Sequence, residues 1–309
     1  MASATFAMQD WGFGGFGSIT TKHSHPTDAI DPVRVQLSNP FIVCIVGASR
    51  GIGASIATSY AKAGATGLIL ASRRVSGLEA TAAECKKINP DVQIEIIPCD
   101  ITSSDDVAVL ADKTNAAFGS RLDVVAVNSG YSGPIKTRLT DTDPGTFQNA
   151  INVNYVGTFL CAKYLIPLLL QTEGGAKAFI AVSTVGTMIV RGPIANTQYC
   201  VSKAAQLKLM EHIHEQYHGE GLAAYSVHPG AVLSEMAEET VPDNFRSFLK
   251  DSPELCGAWC VWLTKGGSKR DWLSGRLVSA TWDANELEAR KDEVVSKDLF
   301  KMKMTQPVM

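Results

Sequence analysis

A tyrosine and a lysine four residues apart have side chains whose types and spacing suit acid-base chemistry. Tyr199 and Lys203 lie in the segment Tyr-Cys-Val-Ser-Lys, which opens an amphipathic stretch. Residues i and i+4 share one face of a helix, so the phenol and the ammonium lie close together. A phenol with a pKa of about 10 is a poor acid at neutral pH, but a nearby cation lowers that pKa. The pair therefore predicts proton transfer to or from a substrate oxygen.

A glycine-rich segment upstream predicts a phosphate-binding turn. Its pattern is G-x-x-x-G-x-G, and it directly follows the apolar run 41–46. The glycines permit a tight turn, and the helix that begins there points its N-terminal amides and positive dipole end at a pyrophosphate. The predicted cofactor contacts in this turn are Gly47, Ser49, Arg50, Gly51, Ile52 and Gly53. A dinucleotide site combined with an acid-base pair implies hydride transfer.

The residues after the second predicted strand indicate which dinucleotide binds. An NAD-binding chain carries Asp or Glu about 20 residues after the glycines, where it binds the ribose 2′-hydroxyl. This chain has Arg73 and Arg74 there, and Arg50 lies inside the glycine turn. Guanidinium groups suit a 2′-phosphate. We therefore predict NADP(H) as the cofactor, with Arg50 and Arg73 as phosphate contacts.

The segments from Phe41 onward predict the elements that position these residues. Apolar segments alternate with amphipathic ones, and the apolar segments resemble strands that are covered on both faces. The predicted strands are 41–46, 67–71, 92–98, 122–127, 176–183, 222–228 and 276–280. The predicted helices are 52–64, 76–88, 103–118, 144–171, 198–218 and 253–265. This alternation predicts an α/β fold, a doubly wound parallel sheet in a single domain.

The domain boundaries follow from changes in composition. Residues 1–40 are polar and rich in Gly and Pro, and they predict an N-terminal extension that drapes over the domain or is partly disordered. The domain is predicted over 41–287, with a substrate lid near 231–252. After Trp282 the chain becomes polar and charged, which predicts a C-terminal tail over 288–309.

These motifs, in this order, resemble those of the short-chain dehydrogenase/reductase family, and residues 273–287 are similar to fungal members. The resemblance implies a Rossmann-type sheet of seven strands in the order 3-2-1-4-5-6-7. It also implies that Lys203 holds the nicotinamide ribose hydroxyls. The family's remaining cofactor contacts match Asp100 at the adenine, Asn128 on the adenosine side, and Pro229, Gly230, Val232 and Ser234 at the nicotinamide.

Two further catalytic residues are implied by the same resemblance. Asn154 matches the family's asparagine, which anchors a water next to the lysine and so opens a proton relay; Asn152 is the competing candidate. Ser183, at the end of the fifth predicted strand, matches the serine that hydrogen-bonds the substrate carbonyl. Thr184 is the alternative, because the segment between this position and Tyr199 is longer than is usual in the family.

The predicted function is NADP(H)-dependent reduction of a bulky, mostly apolar ketone, or the reverse oxidation, with Tyr199 as the acid or base. The predicted lid carries Met236, Val241, Phe245, Phe248 and Leu249, and the last four have the spacing of one apolar helical face. The loop after Ser183 adds Met188, Ile189, Val190 and Pro193 to the same mouth. The alternative is a cofactor-holding protein with a non-redox role, such as an isomerase, a cyclase or a binding scaffold.

Composition restricts the partners. The 309 residues include 45% hydrophobic and 19% charged residues, so a sizeable core can be buried. The net charge of −3 offers no basic field for nucleic acid or an anionic membrane, and no apolar run approaches the roughly 20 residues of a membrane span. Seven scattered cysteines without a glycosylation sequon predict reduced thiols and a cytoplasmic location. The resemblance also suggests a homo-oligomer, a dimer or tetramer, formed through 144–171 and 198–218.

Two patterns that could indicate a metal are weighed against this interpretation. His214-Glu-Gln-Tyr-His218 has the H-E-x-x-H form of zinc proteases. The predicted helix ends at Gly219, however, and Ala224 occupies the place of a third histidine. Cys256 and Cys260 have no further ligands nearby, which favours core packing. No metal site is predicted.

Overall fold

The computed structural model describes residues 19–303, which are built around a parallel sheet of seven strands. The strands are β1 (Ile42–Val46), β2 (Gly67–Ser72), β3 (Gln93–Pro98), β4 (Val124–Val127), β5 (Ala178–Val182), β6 (Ala223–His228) and β7 (Arg276–Ser279). Their order is β3-β2-β1-β4-β5-β6-β7. The predicted α/β fold and strand order are therefore confirmed.

Helices cover both faces of the sheet. They are α1 (Gly51–Lys62), α2 (Val75–Ile88), α3 (Ser104–Phe118), α4 (Pro144–Ile151), α5 (Gly157–Gln171), α6 (Thr197–Tyr217), α7 (Glu235–Thr240), α8 (Asp243–Arg246), α9 (Glu254–Thr264), α10 (Ala284–Ala289) and α11 (Lys291–Ser296). Helices α1, α2 and α9 contribute to one core cluster, and α3, α5 and α6 contribute to the other. Along β1, Val43 and Ile45 belong to the first cluster while Cys44 and Val46 belong to the second. This burial on both faces explains why the strands are apolar almost throughout.

The predicted helix over 144–171 contains an irregular turn. Residues Asn152–Val156 form a π-helical turn between α4 and α5. Such turns are rare and occur frequently at functional sites. The stretch Pro144–Gln171 is also long and apolar enough to cross a membrane, contrary to the estimate from apolar runs, but half of its most apolar window is buried inside the protein. That burial is typical of a core helix.

The two ends of the described chain pack on each other. Lys22 forms an isolated antiparallel bridge with Trp282, and the backbone amides of Thr20 and Thr21 donate to the Glu286 carboxylate, each at 2.9 Å. The predicted tail differs from expectation, because α11 buries Val294 and the ring of Phe300 lies 4.7 Å from that of Trp282. Residues 1–18 of the predicted extension and 304–309 of the predicted tail lie outside the described residues.

Candidate active site

The carboxyl ends of neighbouring strands bring the predicted residues to one edge of the sheet. Gly47 follows β1, Asn128 follows β4, and Ser183 follows β5. The chain order reverses between β1 and β4, which are adjacent in the sheet. In open α/β sheets, ligands bind outside the carboxyl ends of the strands at such a switch point. The topology therefore brings the glycine turn and the predicted catalytic residues to the same end of the sheet.

The glycine turn is held tightly by its surroundings. Gly47 has a φ of +96°, a conformation that side chains rarely adopt, and a Cβ at Gly53 would collide with the Gly47 carbonyl oxygen. Asn128 Nδ2 donates to that oxygen at 3.0 Å, and Thr81 Oγ1 donates to the Ala48 carbonyl at 2.9 Å. Asn128, which was predicted to lie on the adenosine side of the cofactor, therefore contacts the backbone of the glycine turn.

The first turn of α1 leaves its backbone amides available. Arg50 occupies the N-cap position and makes no side-chain capping bond, whereas Ser103 caps α3 by accepting from Asp106 N. The N-terminal amides of a helix need acceptors and favour negative charge. A pyrophosphate fits this site, because it supplies acceptor oxygens at a helix start where, among residues 19–303, the N-cap side chain supplies none.

The hydroxyl of Thr184 and the ring of Tyr199 lie beside each other, because Thr184 Oγ1 and Tyr199 Cε1 are each within 4 Å of the position that a Cβ would take at Gly186. Thr184 begins the 3₁₀ turn Val185–Met188, and its Oγ1 accepts from Gly186 N at 3.0 Å. Burial raises the pKa of Tyr199 to about 12, and the side chain of Thr184 opposes that rise. A neutral phenol beside a second hydroxyl is an arrangement that can donate a proton to a carbonyl oxygen and hold it in place.

The preferred serine is not the residue that the structure brings to the phenol. The Ser183 side chain is buried, and its Oγ has no hydrogen-bond partner among residues 19–303. Successive residues of an extended segment point to opposite sides, so only one of Ser183 and Thr184 can face Tyr199. The geometry favours Thr184, the alternative, as the hydroxyl of the site.

Lys203 is almost fully buried on α6, one helical turn after Tyr199. Its Nζ donates to the Val182 carbonyl at 2.8 Å and to Gln206 Oε1 at 3.1 Å. Burial lowers the pKa of Lys203 to about 7. Burial thus moves both groups toward their neutral forms, and the lowering of the Tyr199 pKa by Lys203 stays a prediction.

The π-helical turn places Asn154 in the interior of the site. Its Nδ2 donates to the Tyr131 carbonyl at 2.7 Å and to Ser202 Oγ at 2.8 Å, and its Oδ1 accepts from Tyr131 N at 2.8 Å. Asn152 instead accepts from Gln148 Nε2 in an exposed contact. Of the two candidate asparagines, the structure therefore brings Asn154 to Lys203 and leaves Asn152 on the surface.

The comparison with known proteins agrees with this geometry. Residues 41–244 match the family described as short chain dehydrogenase. The chain belongs to the short-chain dehydrogenase/reductase family. This dehydrogenase is 32% identical over 298 residues to "Short chain dehydrogenase pgmD" of Aspergillus terreus, covering 94% of this chain and 95% of that one. It is 34% identical over 293 residues to "Short chain dehydrogenase citE" of Monascus ruber, covering 94% and 97%. The predicted family and its similarity to fungal members are confirmed.

A solved structure supports the fold. A 7α-hydroxysteroid dehydrogenase complexed with NADH and 7-oxo glycochenodeoxycholic acid superposes with a TM-score of 0.70. It is 21% identical, and the match covers 82% of this chain and 96% of that one. At this identity the likeness establishes the Rossmann-type architecture of the dehydrogenase and leaves its substrate open.

Carboxylates face the predicted phosphate contacts of this dehydrogenase. Arg50 forms an ion pair with Glu235 at the start of α7, and Arg74 Nη2 lies 3.9 Å from the same carboxylate. Arg73 is largely exposed, and its Nη1 lies 4.0 Å from Asp100 Oδ2. The sequence pattern at the end of β2 shows no acidic residue, but the folded chain brings two acids from elsewhere. Any bound phosphate competes with them.

The predicted adenine contact, Asp100, follows β3 and is held by local bonds. Its Oδ1 accepts from Thr102 N at 2.9 Å and from Thr102 Oγ1 at 2.8 Å. Burial would raise the pKa of Asp100, but the hydrogen bonds from Thr102 outweigh burial, so the pKa is lowered. The carboxylate therefore stays ionised at neutral pH and is fixed at the strand end.

The segment that was predicted to be the lid does not form the predicted apolar helical face. Ser234 Oγ caps α7 by accepting from Ala237 N, and Val241 has an extended conformation before Pro242. The prediction of one apolar face over 241–249 is wrong, because this break separates α7 from the short α8. Phe245 packs against the buried pair Ile189 and Cys200 beside Tyr199.

The remaining predicted contacts lie around this lid. Pro229 and Gly230 follow β6, Val232 is buried, and Ser234 is partly buried at the start of α7. Gly230 has a φ of +98°, and Ala231 N donates to Asp251 Oδ2 at 2.6 Å. Hydrogen bonds at Ala231 and at Ser234 therefore hold both ends of the segment that is predicted to lie under the nicotinamide. Its role at the carboxamide stays a prediction.

The metal-like patterns have structural roles in this protein. His214 lies on α6, and its Nδ1 makes a hydrogen bond of 2.9 Å with Ser274 Oγ. Cys256 and Cys260 are buried in α9. Within residues 19–303, no group of three or more His, Cys, Asp or Glu side chains could hold a metal ion. The absence of a bound metal stays a prediction.

Sequence reasoning missed two site residues. Gln206 contacts Lys203 from three residues further along α6, and Glu235 pairs with Arg50. A polar residue on the helix face that carries Lys203 is a signal that could have identified Gln206. Nothing local marks Glu235, because its partner lies far away in the sequence.

Proposed function

We propose that this short-chain dehydrogenase uses NADP(H) to reduce a bulky, mostly apolar ketone to an alcohol, or catalyses the reverse oxidation. The observation that carries the proposal is the proximity of the Thr184 hydroxyl to Tyr199, next to the buried Lys203 and at the same sheet edge as α1, whose N-cap makes no side-chain hydrogen bond. The tyrosine and threonine pair, the buried lysine and the helix start could each have a purely structural role if it occurred alone. Their convergence at one switch point favours hydride chemistry.

The chain's own residues account for the proton chemistry. The cofactor, when bound across the glycine turn, supplies the hydride to the carbonyl carbon. Tyr199 donates its hydroxyl proton to the carbonyl oxygen as negative charge develops there. Thr184 donates a hydrogen bond to the same oxygen, and Lys203 supplies positive charge beside the resulting phenolate. Asn154 fixes the loop after β4 through both atoms of its amide.

The mouth of the site supports an apolar substrate. Ile189, Cys200 and Phe245 form a small apolar cluster next to Tyr199, with Ile194 and Ala195 packed against it. Ligand sites are mainly apolar with few polar groups. A ring-containing ketone would replace water on this surface more favourably than a sugar or a small acid.

The two phenylalanines of the lid make a matched pair for testing this surface. Phe245→Ala should raise KM or lower kcat for a bulky ketone roughly tenfold, because the side chain contacts the cluster beside Tyr199. Phe248→Ala should change either constant less than about threefold, because that ring is 59% exposed. NADPH affinity, measured by fluorescence, should be the same in both. Equal losses in the two variants, or a preference for small charged carbonyls, would exclude this apolar mouth.

Cofactor preference is tested at Arg73. A charge-assisted hydrogen bond contributes roughly 1.5–3 kcal/mol, so Arg73→Ala should narrow the preference for NADPH over NADH about tenfold or more. Dissociation constants for both cofactors from fluorescence titration give this ratio. Equal affinity of the parent protein for NADPH and NADH would rule out the proposed preference.

A substitution at Glu235 should have the opposite effect on NADPH affinity to the substitution at Arg73. It is the acidic partner of Arg50 in the structure, and a 2′-phosphate has to compete with it. Glu235→Gln should therefore tighten NADPH binding and leave NADH binding nearly unchanged. Tightening of both cofactors to the same degree would mean that Glu235 does not oppose the phosphate.

The activity itself is tested by a carbonyl panel. NADPH oxidation by the purified protein should be followed at pH 7 with ring-containing ketones, aliphatic ketones, sugars and keto acids. We expect ring-containing ketones to give the highest kcat/KM, and NADH to be the weaker donor. Turnover of none of these carbonyls, combined with tight NADPH binding, would favour the non-redox alternative.

We also propose a homo-oligomer in the cytoplasm, assembled through the surface of α5 and α6. Large apolar side chains are exposed on these elements or on the π-helical turn, namely Tyr155, Phe159 and Val201. Phe159→Glu should convert the oligomer to a smaller species in analytical ultracentrifugation, because a buried unpaired charge is strongly unfavourable. Val109→Glu, at an exposed apolar residue of α3, is the control. A parent protein that is monomeric at micromolar concentration would exclude this assembly.

A further inference from the structure

Gln206 is a fully buried glutamine whose amide makes three hydrogen bonds. Its Oε1 accepts from Lys203 Nζ at 3.1 Å, and its Nε2 donates to Thr158 Oγ1 at 2.8 Å and to the Asn154 carbonyl at 3.1 Å. An ammonium only donates and a carbonyl only accepts, so these partners fix which end of the amide is oxygen. Gln206 therefore connects the backbone of the π-helical turn directly to the lysine of the site.

The Asn154 carbonyl has no lone pair left for a solvent molecule. It accepts from Thr158 Oγ1 at 2.8 Å and from Gln206 Nε2 at 3.1 Å. A carbonyl oxygen carries two lone pairs, and both are used by these side chains. The resemblance to the family implies a water between this asparagine and the lysine. In this chain a side-chain amide already spans that gap.

The ammonium form of Lys203 is stabilised by hydrogen bonds to neutral acceptors. Its hydrogen-bond acceptors in the described chain are the Val182 carbonyl and Gln206 Oε1, and no carboxylate contributes to its electrostatic environment. The other titratable side chains of α6 are Tyr199 and Cys200 in the turn before Lys203, and Lys208, Glu211, His212, His214, Glu215 and Tyr217 in the turns after it. Tyr131 follows β4 and Tyr155 lies in the π-helical turn, and within residues 19–303 none of these side chains is a hydrogen-bond partner of Lys203. A hydrogen bond to the charged form favours that form, whereas burial disfavours it.

We propose that Gln206 is a positioning residue that replaces the bridging water, orients Lys203 and stabilises its ammonium form. The inference rests on the proposed function for the role of Lys203 at the cofactor. An amide holds the lysine more rigidly than a water does, but it does not pass a proton along in the way that a water can. The proton that Tyr199 gives up is therefore not replaced through Asn154.

Four variants separate this role from simple packing. Gln206→Met keeps the volume but removes the acceptor, and Gln206→Glu places a carboxylate beside the ammonium. Gln206→Ala leaves a polar space in which a water can bridge again. Thr158→Val is the matched control, since it removes a bond to the same Asn154 carbonyl and one acceptor of Gln206 Nε2, but leaves the bond between Gln206 Oε1 and Lys203 in place. Thermal unfolding of each cofactor-free variant reports whether it is folded.

The measurement is the dissociation constant of the cofactor as a function of pH, by fluorescence, with whichever of NADPH and NADH the parent binds more tightly. We expect binding to weaken on the alkaline side as Lys203 loses its charge. Gln206→Met should move this weakening about one to two pH units toward acid, because the lost charge-assisted bond favoured the ammonium. In Gln206→Glu the weakening of cofactor binding should move toward alkaline pH. In Gln206→Ala it should move toward acid, but less than in Gln206→Met. In Thr158→Val it should occur at the same pH as in the parent protein.

The outcomes also distinguish this inference from the proposed function. Superimposable pH curves for the parent, Gln206→Met and Gln206→Glu would overturn the inference, as would a shift of Met and Glu in the same direction. If Gln206→Met does not fold, the opposite shifts of Glu and Ala still decide the matter. Shifted binding curves in a protein that reduces no carbonyl support the role of Gln206 and refute the proposed function. A protein that reduces carbonyls but whose Gln206 variants bind cofactor with the same pH dependence as the parent would support the proposed function and refute the role of Gln206.

Discussion

Tyr199→Phe should abolish carbonyl reduction while leaving NADPH affinity nearly unchanged. The substitution removes only the phenol oxygen, which acts on the substrate. General acid catalysis contributes roughly 10²–10⁴-fold to a rate, so kcat should fall by at least about a hundredfold. Steady-state kinetics with the best ketone of the panel, together with a fluorescence titration of NADPH, give the two numbers. Retention of more than a tenth of the parent's activity would show that Tyr199 is not the acid.

Lys203→Ala is the companion variant for this prediction. Its ammonium is proposed to serve both the cofactor and the phenol, so the variant should lose activity and cofactor affinity together. A Lys203 variant that binds NADPH like the parent would separate the two roles. The contrast between the variants therefore identifies which step each side chain serves.

The rates of the two directions of reaction should depend differently on pH. The pKa of Tyr199 is raised to about 12, so the phenol stays protonated across the neutral range. Reduction needs that proton, and its rate should stay nearly level between about pH 6 and 9. Oxidation needs the phenolate, whose population rises about tenfold per pH unit below the pKa. Its rate should therefore increase with pH, and initial rates in both directions test the assignment.

Thr184→Val should lower kcat about 10²–10³-fold, the loss expected when one donor to a developing oxyanion is removed. Valine keeps the shape of threonine but cannot bind the substrate oxygen or Tyr199. Ser183→Ala should change kcat less than about threefold, because the Ser183 hydroxyl has no partner in the described chain. The pair decides between the two neighbouring hydroxyls with the same assay.

Thr184→Ser provides the rescue. Thr184 Oγ1 also accepts from Gly186 N and caps a 3₁₀ turn, so Thr184→Val should lower the free energy of unfolding by about 1 kcal/mol. Serine restores both the cap and the hydroxyl, and should recover most of kcat. A large loss in Ser183→Ala with an active Thr184→Val would return the role to Ser183.

The strands and most helices were predictable because their signals are local. Buried parallel strands produce apolar runs, and the helices between them end near glycines such as Gly64 and Gly119, both of which have positive φ. The π-helical turn was not predictable, since its one-residue widening leaves the apolar period almost intact. The break before α8 was predictable in principle, because Pro242 cannot continue a helix.

The candidate site was predictable where residues have fixed spacing in the sequence. Tyr199 and Lys203 share a helix, and the glycine turn follows its strand, so their geometry follows from the chain. The choice between Ser183 and Thr184 was not predictable, because their side chains point to opposite sides of the strand end and the sequence does not show which side faces Tyr199. The pairing of Arg50 with Glu235 and the contacts of Gln206 with α5 depend on tertiary packing, which a single sequence does not reveal.

The contact between the two ends of the described chain has a consequence for the order of synthesis. Thr20 and its partner Glu286 are 266 residues apart, and Lys22 bridges to Trp282. During translation, the N-terminal segment emerges first, but its partners leave the ribosome only after the whole sheet has been made. The N-terminal segment therefore stays undocked until those partners have been synthesised. Its docking therefore follows the synthesis of β7, and a chain that stops before residue 281 lacks these contacts, which leaves the segment accessible to proteases and chaperones.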